Sequence, residues 1–470
     1  MVAHACEHLA RLGVATHRGL GVHERVVHLD VKDALGAHHE LQVGDDVLIV
    51  ADDVRDRAHG VVGIVSSDAV GDADPMSHGV NHNGGTQVTH RGVRAVALEF
   101  SVLTSVYIAR LWPIRGRLVM EDPEVFYLTA RIHGVASIND VWAGYQHLVP
   151  RMLALAIAPI PIDWAGFVLQ AAVSAIMGAA AVAVSASVFQ LSGSRLRGWL
   201  AGLAIVGCPI LAESSLGNAA LLHFSLVAVL CILLVTQTSV FAGAATTAVL
   251  ILVGLSDPLV GLLFASAIMS FGWSTFEWIS RRRSILLVAT TCAQGMSYLA
   301  NSTGRPPRNP LTPWAGMSRL WWASIIWPAV AVIVLVISTR STRDRRATMA
   351  ARYVATAALI LGLTAWLLGG LADRYFIAPM MLAAIALTLG VPRCSLHTVL
   401  SWGIGLALCL TYAVLAVGAF APRQFLRDGL AWREAVVAAR AECSRDGVVT
   451  VRIDTVGGAI DAAPCDLFED

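Results

Sequence analysis

The chain has 470 residues, 56% of them hydrophobic and 14% charged, with a formal net charge of +1. Its mean hydropathy of +0.65 exceeds what a water-soluble domain of this size sustains, because charged side chains must cover such a surface. These figures exclude a disordered chain, a disulfide-rich secreted scaffold and an ordinary cytosolic enzyme. They argue against a nucleic-acid partner and leave a multi-span protein of the lipid bilayer.

Composition changes along the chain. Most of the 15 histidines precede residue 95, among them His4, His8, His17, His23, His28 and His90. Residues 1–94 hold almost no long apolar run, and Glu7 and His8 interrupt the place of a signal-peptide core. Short β-like runs at 47–50 and 61–65 are separated by Asp and Gly. Neither His38-His39-Glu40 nor His78 with His82 matches a zinc spacing. The segment 1–94 reads as a poorly structured extension or as residues added by a mis-assigned start.

From about Ala95 the chain becomes a series of apolar blocks. A helix needs about 20 apolar residues to cross a ~30 Å hydrocarbon core. The expected spans are 95–112 (the weakest, with Glu99 inside), 165–191, 198–212, 219–236, 239–255, 259–278, 284–300, 320–338, 353–371, 376–391 and 398–420. The fold class is therefore an all-α polytopic membrane protein of about 11 transmembrane helices over 95–420, with an outer loop at 112–164. Arginine sets the orientation, since cytoplasmic loops hold the positive excess. Arg195 and Arg197, Arg281 to Arg283, Arg340 to Arg352 and Arg393 all fall on one side. The N-terminus is thus expected inside and the C-terminus outside a cytoplasmic (inner) membrane. Arg115 and Arg117, in the outer loop, run against the rule.

Ionisable residues within spans are few: Glu99, His223 and, at a span end, Glu277. Carboxylates gather instead on the outer side, at Glu121, Asp122, Glu124, Asp140, Glu213, Asp257 and Asp373. That distribution points to chemistry at the outer membrane–water boundary rather than along a channel. The outer loop reads Glu121-Asp122-Pro123-Glu124, then Gly144-Tyr145-Gln146-His147-Leu148-Val149-Pro150-Arg151. Pro150 suits the first turn of a helix reaching about Ala158. Arg151 would then stand beside free backbone N–H groups that attract phosphate. That helix is apolar and too short to span, so it suits the interface.

This arrangement resembles the GT-C superfamily of multi-span glycosyltransferases that use polyprenyl-phosphate-linked sugars. It is most similar to a bacterial branch with an acidic pair, then Gly-Tyr-x-His-Leu-x-Pro-Arg, a Gly-Asn and a late Arg-Tyr-Phe. Here these are Glu121-Asp122, Gly144 to Arg151, Gly217-Asn218 and Arg374-Tyr375-Phe376. The resemblance implies that Asp122 or Glu121 is the general base that deprotonates an acceptor hydroxyl. It implies that Arg151 and Arg374 hold the phosphate leaving group, and that Tyr145, His147 and Tyr375 bind donor or acceptor. The implied partners are a polyprenyl-phosphate-linked sugar donor and a glycan or glycolipid acceptor of the envelope. A divalent cation (Mg or Mn) on the acidic pair has no full ligand set to support it.

Plainer readings of the same residues stand beside these. Glu-Asp-Pro is also a helix-start signal, His147 a group that can bond a carbonyl, and Arg374-Tyr375 an interfacial anchor. Asn218 and His223 read as hydrogen-bonding groups between helices, and Asp257-Pro258 as the end of one span and the start of the next. The tail, 421–470, is polar, with a helix near 427–443 and a strand near 448–453. It reads as a small α/β extracytoplasmic module in which Cys443 and Cys465 form a disulfide candidate. The competing functions are a transporter or flippase of lipid-linked or polar cargo, and a non-catalytic envelope-assembly protein.

Overall fold

Long apolar stretches without a break give long helices. The chain is seen in a computed structural model that describes residues 85–468 except 120, 143, 215, 237–239, 302–322, 341–344, 369–372, 391–413, 415, 416, 418, 423–425, 428, 446 and 457. Helix α1 (Gly85–Leu111) carries the first expected span, and α3 (Ala165–Ser192) the second. Helix α1 begins ahead of the boundary expected at residue 94, because the helix continues past the apolar block into its polar flank. Its Val96, Leu98, Val102 and Ile108 are exposed, an apolar face of the kind that bilayer-facing helices show.

The remaining helices are α4 (Arg195–Val206), α5 (Leu222–Val235), α6 (Val240–Gly254), α7 (Gly261–Phe271), α8 (Arg281–Ala300), α9 (Ala323–Arg340), α10 (Arg345–Leu368) and α11 (Ile377–Gly390). Among the described residues three segments are long and apolar enough to cross a membrane: Val93–Ile114, Ile162–Ser192 and Arg345–Leu367. This corrects the expected count of eleven. The expected block 219–236 is a helix of 14 residues, about 21 Å long at 1.5 Å per residue. The block 259–278 breaks at Gly272, and 198–212 ends at Val206. Helix α10 starts at Arg345 rather than 353, so Arg345, Arg346 and Arg352 belong to a helix and not to a loop. The histidine-rich stretch through residue 84, most of 398–420, and Arg343 and Arg393 lie outside the described residues.

Packing follows side-chain size. Helix α4 lies close against α3 because Gly198 and Gly202 face it; a Cβ on Gly198 would sit 2.6 Å from the Ser185 carbonyl oxygen. Helices α5 and α11 are apolar around their circumference and buried on nearly every side, as central helices must be.

The segment between α1 and α3 folds into a layer at one end of the bundle. It contains a π-helix (Asp122–Leu128), a short helix (Thr129–His133), a hairpin of β1 (Val141–Trp142) and β2 (Tyr145–Gln146), and α2 (Leu148–Ile157). The C-terminal module packs α12 (Trp432–Cys443) on an antiparallel pair, β3 (Thr450–Thr455) and β4 (Gly458–Pro464). A disulfide joins Cys443 to Cys465. This module is strapped to the same end. The Trp432 indole N–H donates to the Ile162 carbonyl at 2.7 Å, Arg440 pairs with Asp163 at 2.9 Å, and Val119 bridges to Val456. Arg117 donates to the carbonyls of Arg427 and Gly429. Its task is to tie down the tail, which explains one of the two arginines that oppose the charge rule.

Candidate functional site

The acidic pair opens the π-helix, a wide turn that recurs at functional sites. Asp122 is buried, and its two carboxylate oxygens accept the backbone N–H groups of Ala219 (2.9 Å) and Ala220 (2.8 Å) just before α5. The turn that presents those N–H groups needs Gly217, whose φ is +74° and whose added Cβ would lie 2.6 Å from Leu111 Cδ2. The Gly217 N–H itself donates to the Tyr107 hydroxyl. Burial raises the Asp122 pKa from its ordinary 3.8 to about 7; the two N–H donors offset part of that rise, and the neighbouring Glu121 adds to it. Glu121 differs from its neighbour. One of its oxygens lies 3.8 Å from the Arg374 guanidinium, and the other is buried without a hydrogen-bond partner.

Positive φ at Gly144 closes the β1–β2 hairpin and delivers Tyr145 and His147. Helix α8 fixes that hairpin from the side, since the Gln294 amide exchanges two hydrogen bonds with the backbone of Gln146. The His147 ring lies 4.3 Å from the Tyr145 ring and 5.4 Å from the His223 ring, centroid to centroid. Burial, and then the charge of Arg151, push the His147 pKa from 6.5 down to about 4, so its imidazole is neutral.

Helix α2 begins at Leu148 and carries Arg151 in its first turn, near the expected place. The phosphate site expected there is not formed. The Leu148 N–H is taken by the Leu255 carbonyl, Val149 by Ser256 Oγ at 2.8 Å, and Arg151 by the His147 carbonyl. The Arg151 side chain is turned into the layer, 3.8 Å from Asp140 and over the Phe126 ring, with burial lowering its pKa.

Two residues taken as structural in the sequence belong to the same cluster. Asp257 caps the turn Pro258–Val260 through Leu259 N–H, and its other oxygen lies 3.7 Å from His223 Nε2. Burial raises the Asp257 pKa from 3.8 to about 7. Both ring nitrogens of His147 and of His223, Asp257 Oδ2 and Asn218 Nδ2 are buried without hydrogen-bond partners. Leaving a buried polar group unpaired costs about 1–3 kcal/mol, so such a concentration marks a place where something else supplies partners. The signal available in the sequence was an ionisable residue, His223, inside an apolar block.

The structure thus brings together Glu121, Asp122, Tyr145, His147, Arg374 and Tyr375, with Tyr375 edge-on to Phe224 at 5.6 Å. Arg151 lies behind them. Among the described residues no group of three His, Cys, Asp or Glu side chains is placed to hold a metal ion. Asp122 is committed to backbone N–H groups and one Glu121 oxygen faces a guanidinium, which leaves the second Glu121 oxygen as the one open carboxylate atom of the pair, fewer than Mg or Mn takes from carboxylates and carbonyls together. No protein-family model matches the chain, and no curated protein matches it either.

Proposed function

We propose that this chain is a GT-C-like membrane glycosyltransferase, taking a sugar from a polyprenyl-phosphate-linked donor to an envelope acceptor at the outer face of the cytoplasmic membrane. The observation that carries the reading is the meeting of Glu121-Asp122, Tyr145-x-His147 and Arg374-Tyr375 around the Gly217–Ala220 turn. These are the segments that the resemblance marks, drawn from distant parts of the chain. Sorting by free oxygen divides the pair's labour. Asp122 holds the turn, and Glu121, with an unpartnered oxygen, takes the proton. The acceptor hydroxyl loses its proton to Glu121 as its oxygen bonds to the anomeric carbon. The bond from that carbon to the phosphate oxygen breaks, and the polyprenyl phosphate leaves with the electron pair. Arg374 faces that phosphate with paired donors.

The test is transfer of radiolabelled sugar from polyprenyl-phosphate donors in vesicles carrying the full chain. Glu121→Gln should lower the rate by about 100-fold or more, the worth of a positioned base, with no change in thermal stability. Unaltered transfer in Glu121→Gln would sink the assignment of the base, and unaltered glycan in the Glu121→Gln, Asp122→Asn double variant would sink the function. One observation favours transport instead: buried ionisable groups at His147, His223 and Asp257 are what an ion-coupled carrier needs. Uptake of lipid-linked cargo into vesicles without any sugar transfer would establish that reading.

A further inference from the structure

The unpartnered groups around His223 have a composition that selects their ligand. A neutral imidazole offers one donor and one acceptor. His147 and His223 together therefore bring both donors and acceptors to the cluster, all buried and none in a close hydrogen bond. Asn218 Nδ2 adds donors and Asp257 Oδ2 adds an acceptor. An anion would want donors alone and a cation acceptors alone. A mixed set suits a group that both gives and takes hydrogen bonds, and the hydroxyl is that group. Aromatic rings flank the cluster: Tyr145 at 4.3 Å and Phe126 at 5.6 Å from the His147 ring, and Phe224 at 4.1 Å from the His223 ring. Ring faces beside polar groups suit the C–H faces of a sugar. The charged pair Glu121–Arg374 borders this set and is more open, with side chains about a quarter to a third exposed.

We propose that His223, Asp257, Asn218 and His147 form the subsite for the neutral hydroxyls of a sugar ring, with His223 and Asp257 as specificity-determining residues. The proposal rests on the glycosyltransferase reading for the sugar's origin, which is the donor or the acceptor. The ligand chemistry is the same in both cases.

The experiment measures binding to the full chain in lipid nanodiscs. Its probes are a polyprenyl-phosphate-linked hexose or pentose, the same polyprenyl phosphate without sugar, and soluble methyl glycosides. Wild type should bind the sugar-bearing lipid about tenfold more tightly than the bare phosphate. His223→Gln and Asp257→Asn should each remove about that factor, as expected for lost hydrogen bonds to a buried ligand, and leave bare-phosphate binding unchanged. His223-dependent binding of methyl glycosides without preference for the sugar-bearing lipid would support the subsite and assign it to the acceptor. Methyl glycoside binding that depends on His223, with no binding of either lipid, would keep the subsite and refute the donor-dependent function. Undiminished preference for the sugar-bearing lipid in both variants would overturn the subsite and leave the function standing, the cluster then being satisfied by water. Equal loss for all probes, with a lowered melting temperature, would also overturn it, by showing a structural role.

Discussion

The Asp122→Asn substitution tests the construction of the site at one atom. Asp122 supplies two acceptors to two N–H donors, at 2.9 and 2.8 Å. Asparagine keeps one acceptor and turns an NH2 toward the other donor, so one buried N–H loses its partner, at a cost of about 1–3 kcal/mol. Burial adds a pH dependence. The folded-state pKa is about 7 against an ordinary 3.8, so between those values the folded chain holds a proton that the unfolded chain has released. Wild-type stability from this group is therefore full below about pH 4 and falls as pH rises to about 7. The slope is about 1.4 kcal/mol per pH unit, and the whole interval amounts to about 4 kcal/mol.

The variant has no such titration. Its deficit against wild type should be largest in acid and shrink by roughly 2–3 kcal/mol between pH 5 and pH 7. Unfolding followed by tryptophan fluorescence in nanodiscs at several pH values measures this, because the chain has 13 Trp. Comparing variant with wild type at each pH removes the contributions of His147 and Asp257. A deficit that grows with pH would refute the reasoning, since it would mean that the N–H groups hold Asp122 ionised. A deficit independent of pH would show that burial does not govern its proton.

Two further substitutions probe the frame. Gly217→Ala forces a side chain onto a φ of +74° and against Leu111; it should cost about 1–3 kcal/mol and lower the melting temperature, and an unchanged melting temperature would count against the turn as built. Replacing Cys443 and Cys465 by serine opens a loop of sequence separation 22. The expected loss is about 3 kcal/mol, confined to the tail and read as faster hydrogen exchange over 432–468 with α3 and α5 unaffected.

The parts of the fold legible in the sequence are those decided locally. An unbroken apolar run marks α3 to within a residue at each end, and the helix with Arg151 in its first turn follows from Pro150. Hydropathy does not see what ends the helices that fall short of a span. Residues 219–221 are apolar enough to be counted into a span, yet they belong to a turn held by Asp122, about a hundred residues earlier. The α2 N-terminus has free N–H groups when read alone, and the chain at Leu255 and Ser256 fills them. Asp257 and His223 look structural apart and become a cluster only when two helix ends meet. Arg117 was a visible anomaly of the charge rule, and its cause is a tail more than 300 residues away.

The site divides by charge, and that division bears on mechanism. Glu121 and Arg374 are paired at 3.8 Å and partly exposed, whereas His147, His223 and Asp257 are buried. A sugar carried on a lipid phosphate has the same division: a charged phosphate, a neutral ring and an apolar chain. Phosphate at Arg374 would weaken the hold of that guanidinium on Glu121, because one cation then serves two anions. Under the glycosyltransferase reading, the Glu121 oxygen that has no hydrogen-bond partner is then the one turned to the acceptor hydroxyl, while the guanidinium serves the phosphate. Replacing Arg374 by glutamine should therefore weaken binding of a phosphate-bearing lipid donor and leave binding of a soluble methyl glycoside unchanged, both measured on the full chain in nanodiscs. An equal loss for both probes would refute the phosphate role of Arg374, since it would show a general loss of the fold.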